Sequence, residues 1–473
     1  MNRKLRTIGL ALLLLAALVA IGSQLRTAVR VGTGMSALVT CGLAHHTGLD
    51  PEWVMAQYVG PLLGAGAETV QLRRDPGTGT TESLAPLGTQ GRAIVRGGVG
   101  CTLVADEDEA TLRGFEDPPH APPLPPDLPW PNGSAPFEGP ANPALVAALD
   151  DAFAEPENTP GRMRQTLAVL VAHGGRLVAE RYASSVHRDS RLLSWSAAKS
   201  VTAALIGVAE LEGRLDRFAR AVVPEWQEAS DPRGAITPDQ LLRMSSGLAF
   251  DETYGAVNDV SRMLFTHPDA GAFAADMELV HEPDSAWSYS SGTSNILARI
   301  LRDLFGQDLE AQVRWSRASF FDPIGMRSAV FETDASGSFI GSSLFYATGR
   351  DWARFGQLHL QDGTWNGQRI LPEDWIRYVS TPTPKAPEGR YGAGWWLNAG
   401  DPADPTQRMW PTVPPEVYAA RGMSGQYVVI VPSAELVIVR LGLTQSGGDE
   451  LQGIEPLVRA TIDAVKGAPS SDE

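Results

Sequence analysis

A hydroxyl and an amine three residues apart, in the run Ser196-Ala197-Ala198-Lys199, are the pair in this chain best suited to chemistry. Residues at that spacing share a helix face, so the two side chains can touch. A serine hydroxyl is a poor nucleophile until a neighbouring base takes its proton. An ammonium buried in an apolar lobe is disfavoured in its charged form, and a lysine there can be that base. The following residues, Ser200-Val201-Thr202-Ala203-Ala204-Leu205, are uncharged and mostly apolar, which gives a lysine little solvation reason to be present. Lysine occurs only at Lys4, Lys199, Lys385 and Lys466; every other basic residue apart from His is Arg. Arginine keeps its proton at any working pH, so Lys199 stands out as the basic residue able to lose one. Taken alone, Ser-x-x-Lys recurs by chance, and a surface lysine at the edge of an amphipathic helix is the plain alternative. If Ser196 opens its helix, its own backbone N–H is a free donor for an oxyanion.

Two further clusters bear on the same chemistry. Tyr289 lies in Trp287-Ser288-Tyr289-Ser290-Ser291-Gly292, just before a helix expected over 294–304. A phenol near a lysine can relay a proton from nucleophile to leaving group. Read alone, it is equally a core tyrosine beside a polar turn. The run Arg421-Gly422-Met423-Ser424-Gly425-Gln426 enters a late strand pair. Backbone N–H groups of Gly422 and Met423 on the inner edge of such a strand can supply the second oxyanion donor, and a simple glycine turn explains the run as well.

The elements that must hold these residues are legible from periodicity. Apolar positions from 196 to 211 repeat at helical spacing and stop before Gly213. Residues 167–173 and 176–182 flank Gly174-Gly175, a hairpin pattern. Thr237-Pro238-Asp239-Gln240 reads as a capping box with proline at the first helical position. A helix is expected over 143–153, strands over 391–397, 426–431 and 436–441, and a last helix over 451–466. Strands early and late around a helical middle predict an α+β domain: one antiparallel sheet from both ends, flanked by helices, with a mainly helical lobe inserted. A cleft between the lobes is the expected site.

The bulk numbers set limits. The chain has 473 residues and a net charge of −16, which argues against nucleic acid as a partner. Arg3, Lys4 and Arg6 precede an uncharged apolar run over 8–22, the pattern of a signal peptide or an uncleaved membrane anchor. With the basic residues kept inside, the rest faces out, a periplasmic placement with membrane association through the N-terminus. Cys41 and Cys101, the only cysteines, allow one pairing, and an exported protein can keep a disulfide; two buried thiols are the alternative. A helix near 51–63 and strands near 69–72 and 92–96 belong to a small N-terminal segment. Eight prolines between Pro118 and Pro131 then form an extended linker or strap. The resulting division is an anchor or signal peptide at 1–29, the N-terminal segment at 30–115, the linker at 116–141, the catalytic domain at 142–467 and a tail at 468–473.

Together these motifs resemble the superfamily of serine β-lactamases, penicillin-binding proteins and related esterases and amidases, whose hallmark is Ser-x-x-Lys, then Tyr-x-Asn or Tyr-x-Ser, then Lys-Thr-Gly or a substitute. Flanking phrases are similar to the class C branch: Leu241-Leu-Arg-Met-Ser-Ser-Gly-Leu248, Leu371-Pro-Glu-Asp-Trp375 and Val431-Pro432. The resemblance spans roughly 142–466 and looks closest to the 6-aminohexanoate-dimer hydrolase group, where Tyr-x-Ser replaces Tyr-x-Asn. It implies Ser196 as nucleophile, Lys199 as base and Tyr289 as proton shuttle, with no cofactor and no metal. It also implies that the Glu-x-Tyr segment Asp251-Glu252-Thr253-Tyr254 contributes Tyr254 against a substrate amide. Ser291, Gly422 and Met423 complete the expected oxyanion and substrate contacts. No Lys-Thr-Gly occurs, and Arg421 is the candidate substitute for its basic residue. Together with serine in place of asparagine at 291, this favours small amides or esters over β-lactams.

The rival readings are a β-lactamase or D-alanyl-D-alanine peptidase-like enzyme and a catalytically silent exported binding protein on the same fold. No Gly-x-Ser-x-Gly elbow or His-Glu-x-x-His pattern is present, and the eight histidines fall in no recognisable motif.

Overall fold

The computed structural model describes residues 3–466 except 106, 138, 140, 141, 157–160, 221, 255, 256, 402, 446 and 447, with side chains from residue 21 onward apart from those of 87, 449 and 450. The tail expected at 468–473 lies outside the described residues.

Helix α1 (Arg3–Gly42) carries the basic residues and the apolar run and continues without a break through residues 29 and 30, where the anchor was expected to end. Its second half is a packed core helix: Val31, Ala37, Leu38 and Val39 are buried. The segment 31–41 is uncharged and rich in small residues, so neighbouring chain approaches closely; a Cβ added to Gly34 would sit 2.0 Å from the Phe265 carbonyl oxygen. Side chains of the apolar run through residue 20 lie outside the described set. Among the described residues, no helix is long and apolar enough to cross a membrane.

A four-stranded antiparallel sheet packs on α1: β1 (Gln71–Asp75), β2 (Thr80–Leu84), β3 (Gln90–Arg96) and β4 (Gly100–Leu103), paired in that order. The sequence reading finds two of these strands; β2, mostly hydroxyl and charged residues, and β4, only four residues long, lack the apolar alternation that would announce them. Cys41 of α1 and Cys101 of β4 are joined by a disulfide, their Cα atoms 6.1 Å apart. The proline-rich strap then crosses the surface in extended form. Arginines of the following domain hold its carbonyls: Arg317 donates to Pro118 O at 2.7 Å, Arg327 to Pro122 O at 3.1 Å and Arg354 to Pro131 O at 2.8 Å. A proline has no N–H, so its carbonyl is the backbone group left for such docking.

The main domain begins with α2 (Pro143–Phe153), then β5 (Thr166–His173) and β6 (Arg176–Tyr182). Their hairpin turns on Gly174 and Gly175, both at positive φ. Helices α3 (Ala198–Leu211), α4 (Ser291–Asp303) and α5 (Gly349–Leu360) belong to the middle. The chain closes with β7 (Trp396–Leu397), β8 (Tyr418–Gly422), β9 (Gln426–Val431), β10 (Leu436–Gly442) and α6 (Ile454–Lys466). The sheet order is β7-β8-β9-β10-β5-β6, antiparallel throughout, so the last strand lies beside the first. This is the α+β arrangement expected. Alternate side chains separate two cores. Val169, Val171, Val429 and Ile438 pack under α2 and α6, whereas Leu170, Val428, Ile430 and Val437 face α5 and the main core.

Two local expectations change. The strand expected at 391–397 joins the sheet only at Trp396–Leu397, with Tyr391 folded back in a single bridge to Trp396, and β8 ends at Gly422, so the 421–426 run is a strand end, a tight turn and a strand start. A three-stranded sheet of Leu192–Leu193, Phe345–Ala347 and Val330–Phe331 is unannounced, because two or three residues carry no readable period.

Candidate active site

Ser196 lies in the turn Trp195–Ala197 that leads into α3, two residues before the helix proper. The expectation that Ser196 opens the helix shifts accordingly: Trp195, at φ 44°, is held in the left-handed region and makes the turn tight. Lys199 remains within reach. Its Nζ donates to Ser196 Oγ at 3.1 Å, Ser291 Oγ at 3.0 Å and the Ser342 carbonyl at 3.1 Å. Three oxygens thus fix the position of Nζ, and the side chain is buried. The ring of Tyr289 lies over Nζ at 4.9 Å. That ring is held in turn by Trp287, Tyr391 and Trp396.

Ser291 is the first residue of α4, with Ser290 as N-cap accepting from the Thr293 N–H at 3.3 Å. The sequence reading groups Ser291 with the substrate contacts; the structure buries it fully beneath Lys199. A first-turn N–H has no partner inside the helix, and here it donates to Glu252 Oε2 at 2.7 Å. The hydroxyl donates to Glu252 Oε1 at 2.6 Å while accepting from Lys199. A continuous polar chain thus runs from Ser196 through Lys199 and Ser291 to Glu252. Burial pushes the Glu252 carboxyl upward, and the nearby Lys199 charge and the Ser291 hydrogen bonds pull it back. Tyr254 keeps 41% exposure as a residue, yet its hydroxyl end lies on the side of Ser291 and Ser343. Burial, then the adjacent Glu252 charge, holds that phenol well above its ordinary pKa, so it stays protonated.

From the other side, β8 closes on the Ser196 turn. A Cβ on Gly422 would fall 2.1 Å from the Ser194 carbonyl oxygen, so only glycine permits this approach. Met423 follows, and the turn continues through Ser424 at φ 62° and Gly425 at φ 86°. It is fastened by Gln426 Nε2 donating to Met423 O at 3.2 Å and by buried Arg440 donating to Gly425 O at 2.7 Å. Ser196, Tyr289, Gly422 and Met423 line one cleft of about 730 Å³ with Trp396, Gln445, Tyr58, Pro61 and Leu62. Arg421 reaches the cleft, but its guanidinium stacks over Trp396 at 5.4 Å and Tyr427 at 5.9 Å. Strand alternation puts it with Ala419 and Tyr427, on the face opposite Ala420 and Gly422. The strand therefore presents no cation on the face that meets the Ser196 turn, which corrects the expectation for Arg421.

A buried lysine bonded to a serine, with a phenol above and a strand end opposite, is an arrangement for acyl transfer. Residues 147–460 match the family model named Beta-lactamase. The chain belongs to the beta-lactamase family. Members of this family are serine hydrolases, and the fold described above is theirs. A 6-aminohexanoate-dimer hydrolase of Paenarthrobacter ureafaciens is 24% identical over 333 residues, covering 64% of this chain and 79% of that protein. A penicillin-binding protein homologue from Caulobacter crescentus superposes with a TM-score of 0.50 at 18% identity, over 70% of this chain and 100% of the other. EstCE1, described as a hydrolase with promiscuous acyltransferase activity, superposes with a TM-score of 0.53 at 15% identity, over 68% and 99%. These likenesses to solved structures concern the fold.

The family match leaves residues before 147 outside it, yet Tyr58, Pro61 and Leu62 form one wall of the cleft. Sequence reasoning missed them, and it missed Glu252 as the partner of Ser291. Glu252 carried a signal, an acidic residue two positions from Tyr254. Tyr58 carried none. Among the described residues, no group of three or more His, Cys, Asp or Glu is placed to hold a metal ion.

Proposed function

We propose that this serine hydrolase cleaves small amides or esters through an acyl-enzyme on Ser196. The observation that carries the reading is Lys199 Nζ, buried and 3.1 Å from Ser196 Oγ, held at that distance by Ser291 Oγ and the Ser342 carbonyl. In the first step Ser196 Oγ attacks the substrate carbonyl carbon and its proton passes to the Lys199–Tyr289 pair, which enters the step with one of its two groups unprotonated. Backbone N–H groups of Ser196 and Met423 stabilise the oxyanion. The C–N or C–O bond breaks as Tyr289 returns the proton to the leaving group. Water, losing a proton to the same pair, then frees the acid and restores Ser196.

Small linear amides, as in the 6-aminohexanoate-dimer hydrolase relative, and short esters are the proposed substrates. The stacked position of Arg421 supports this over β-lactams, because its guanidinium is engaged by Trp396 and Tyr427 and its side chain lies on the strand face opposite Gly422. The cleft walls, Trp396, Met423, Pro61 and Leu62, suit an apolar acyl or leaving group. We also propose that the protein is exported, with its N-terminus at the membrane; the Cys41–Cys101 disulfide supports an oxidising compartment.

The test is a panel of p-nitrophenyl esters, linear amide dimers and a chromogenic cephalosporin on wild type and Ser196→Ala. The expected result is turnover of esters or amides that the variant loses with its fold intact. Variant activity within a few-fold of wild type removes Ser196 as the nucleophile, and a cephalosporin turned over faster than every ester and amide overturns the substrate assignment.

A further inference from the structure

We propose that Tyr58, contributed by the N-terminal segment outside the family match, is a positioning residue that locks the two halves of the oxyanion site together. Its hydroxyl accepts the indole N–H of Trp195 at 2.6 Å and donates to Ser424 Oγ at 2.9 Å. Trp195 immediately precedes Ser196, and Ser424 immediately follows Met423. One phenol thus ties the residues adjoining the two backbone amides assigned to the oxyanion. The inference rests on the acyl-transfer reading above.

Two features show why such a tie is needed. Trp195 and Ser424 both hold positive φ, at 44° and 62°, a conformation that residues with a side chain adopt only when their surroundings impose it. The α3 turn and the β8 end also come from segments more than two hundred residues apart, so their spacing is not set by any shared element. Tyr58 is completely buried between them. Burial pushes its phenol up to about 12, against the pull of both hydrogen bonds, so it is protonated and able to donate. The segment is fastened a second time just after β10, where Gln445 Nε2 donates to the Gln57 carbonyl at 2.6 Å and the neighbouring Thr444 N–H donates to the Ser424 carbonyl at 3.0 Å. A general packing role would need the ring of Tyr58 and not its hydroxyl.

The experiment uses the full chain and Tyr58→Phe, which keeps the ring and removes the two hydrogen bonds. A p-nitrophenyl alkylphosphonate is the probe: Ser196 Oγ bonds to phosphorus, p-nitrophenolate leaves, and the serine proton passes to the Lys199–Tyr289 pair. The expected result is full stoichiometric labelling at saturation, a maximal inactivation rate lowered roughly tenfold, the rate equivalent of one hydrogen bond, and a half-saturating concentration changed by less than about twofold. An unchanged maximal rate overturns the proposal, as does a loss confined to the half-saturating concentration, which would make Tyr58 a cleft wall only. If Tyr58→Phe does not fold, Ser424→Gly removes the acceptor hydroxyl at a position whose φ suits glycine, and an unchanged maximal rate there overturns the proposal equally. Wild type that is not labelled at all refutes the nucleophile assignment itself, a result distinct from normal labelling at normal rate in Tyr58→Phe.

Discussion

Replacing Ser291 by Ala tests the polar chain beneath the cleft at its central link. The substitution deletes the hydroxyl that accepts from Lys199 at 3.0 Å and donates to Glu252 at 2.6 Å, and it keeps the backbone N–H bond to Glu252. A hydrogen bond to a charged group contributes about 1.5–3 kcal/mol. If the Lys199 bond is what aims Nζ at Ser196, kcat falls by about 10- to 150-fold. Stability falls as well, since Glu252 keeps a buried oxygen with one donor fewer. That loss depends on pH. A carboxyl whose folded pKa stands above its unfolded value destabilises the fold as pH rises through the interval between them. Burial raises Glu252 and the Ser291 bonds restrain the rise, so deleting the hydroxyl widens the interval. The deficit of Ser291→Ala is therefore smallest well below the ordinary Glu pKa of about 4.3, where Glu252 is protonated in both states, and grows as pH rises through the interval between its unfolded and folded pKa. Urea denaturation across that range, with kcat and KM on a p-nitrophenyl ester, measures both effects. A kcat within about threefold of wild type in a folded variant refutes Ser291 as the partner that orients Lys199. A deficit that does not change with pH refutes the coupling to Glu252.

Three further outcomes are expected. Lys199→Arg is nearly as damaging as Lys199→Ala, because arginine keeps the charge and cannot give up its proton; recovery of most of the rate in the Arg variant would make Lys199 an electrostatic partner and not a base. Tyr254→Phe lowers amide turnover by about one to two decades and ester turnover far less, since an amide nitrogen must be protonated to leave; equal losses on matched amide and ester pairs remove Tyr254 from the leaving-group side. His359 is caged by Phe355 and Trp395, and burial holds it at about 4 against 6.5 for a free imidazole. The unfolded chain therefore binds the extra proton more readily, stability rises with pH between those values, and it is fully present above them. His359→Phe should flatten that slope, worth at most about 3 kcal/mol, in unfolding curves taken near pH 4.5 and pH 7; an unchanged slope shows that His359 is not its source.

The local features of this chain were legible in its sequence wherever a residue type has one strong physical reason to be where it is. A lysine in an apolar helix, a capping box at Thr237, a hairpin on Gly174-Gly175 and a proline-rich strap each follow from short-range chemistry. So did the sheet built from both ends, because apolar strands lie early, over 167–182, and late, over 426–441, around a mostly helical middle. Tertiary structure decided what depends on contacts far apart in the chain. Sequence marks residue 421 as basic, but the register of β8 against β9 determines which face Arg421 takes, and one residue of slip would have reversed it. Ser291 was visible beside Tyr289, yet its place between Lys199 and Glu252 depends on how α4 meets α3 and the 251–254 segment. The hydrophobic run at the N-terminus suggested an export element and gave no sign that its helix continues into the core, because the same apolar residues suit lipid and protein interior alike. Tyr58 was the least legible of all. Nothing near it in sequence marks a site, and its meaning arises only where three distant segments bring an indole, a phenol and a serine hydroxyl within hydrogen-bonding distance.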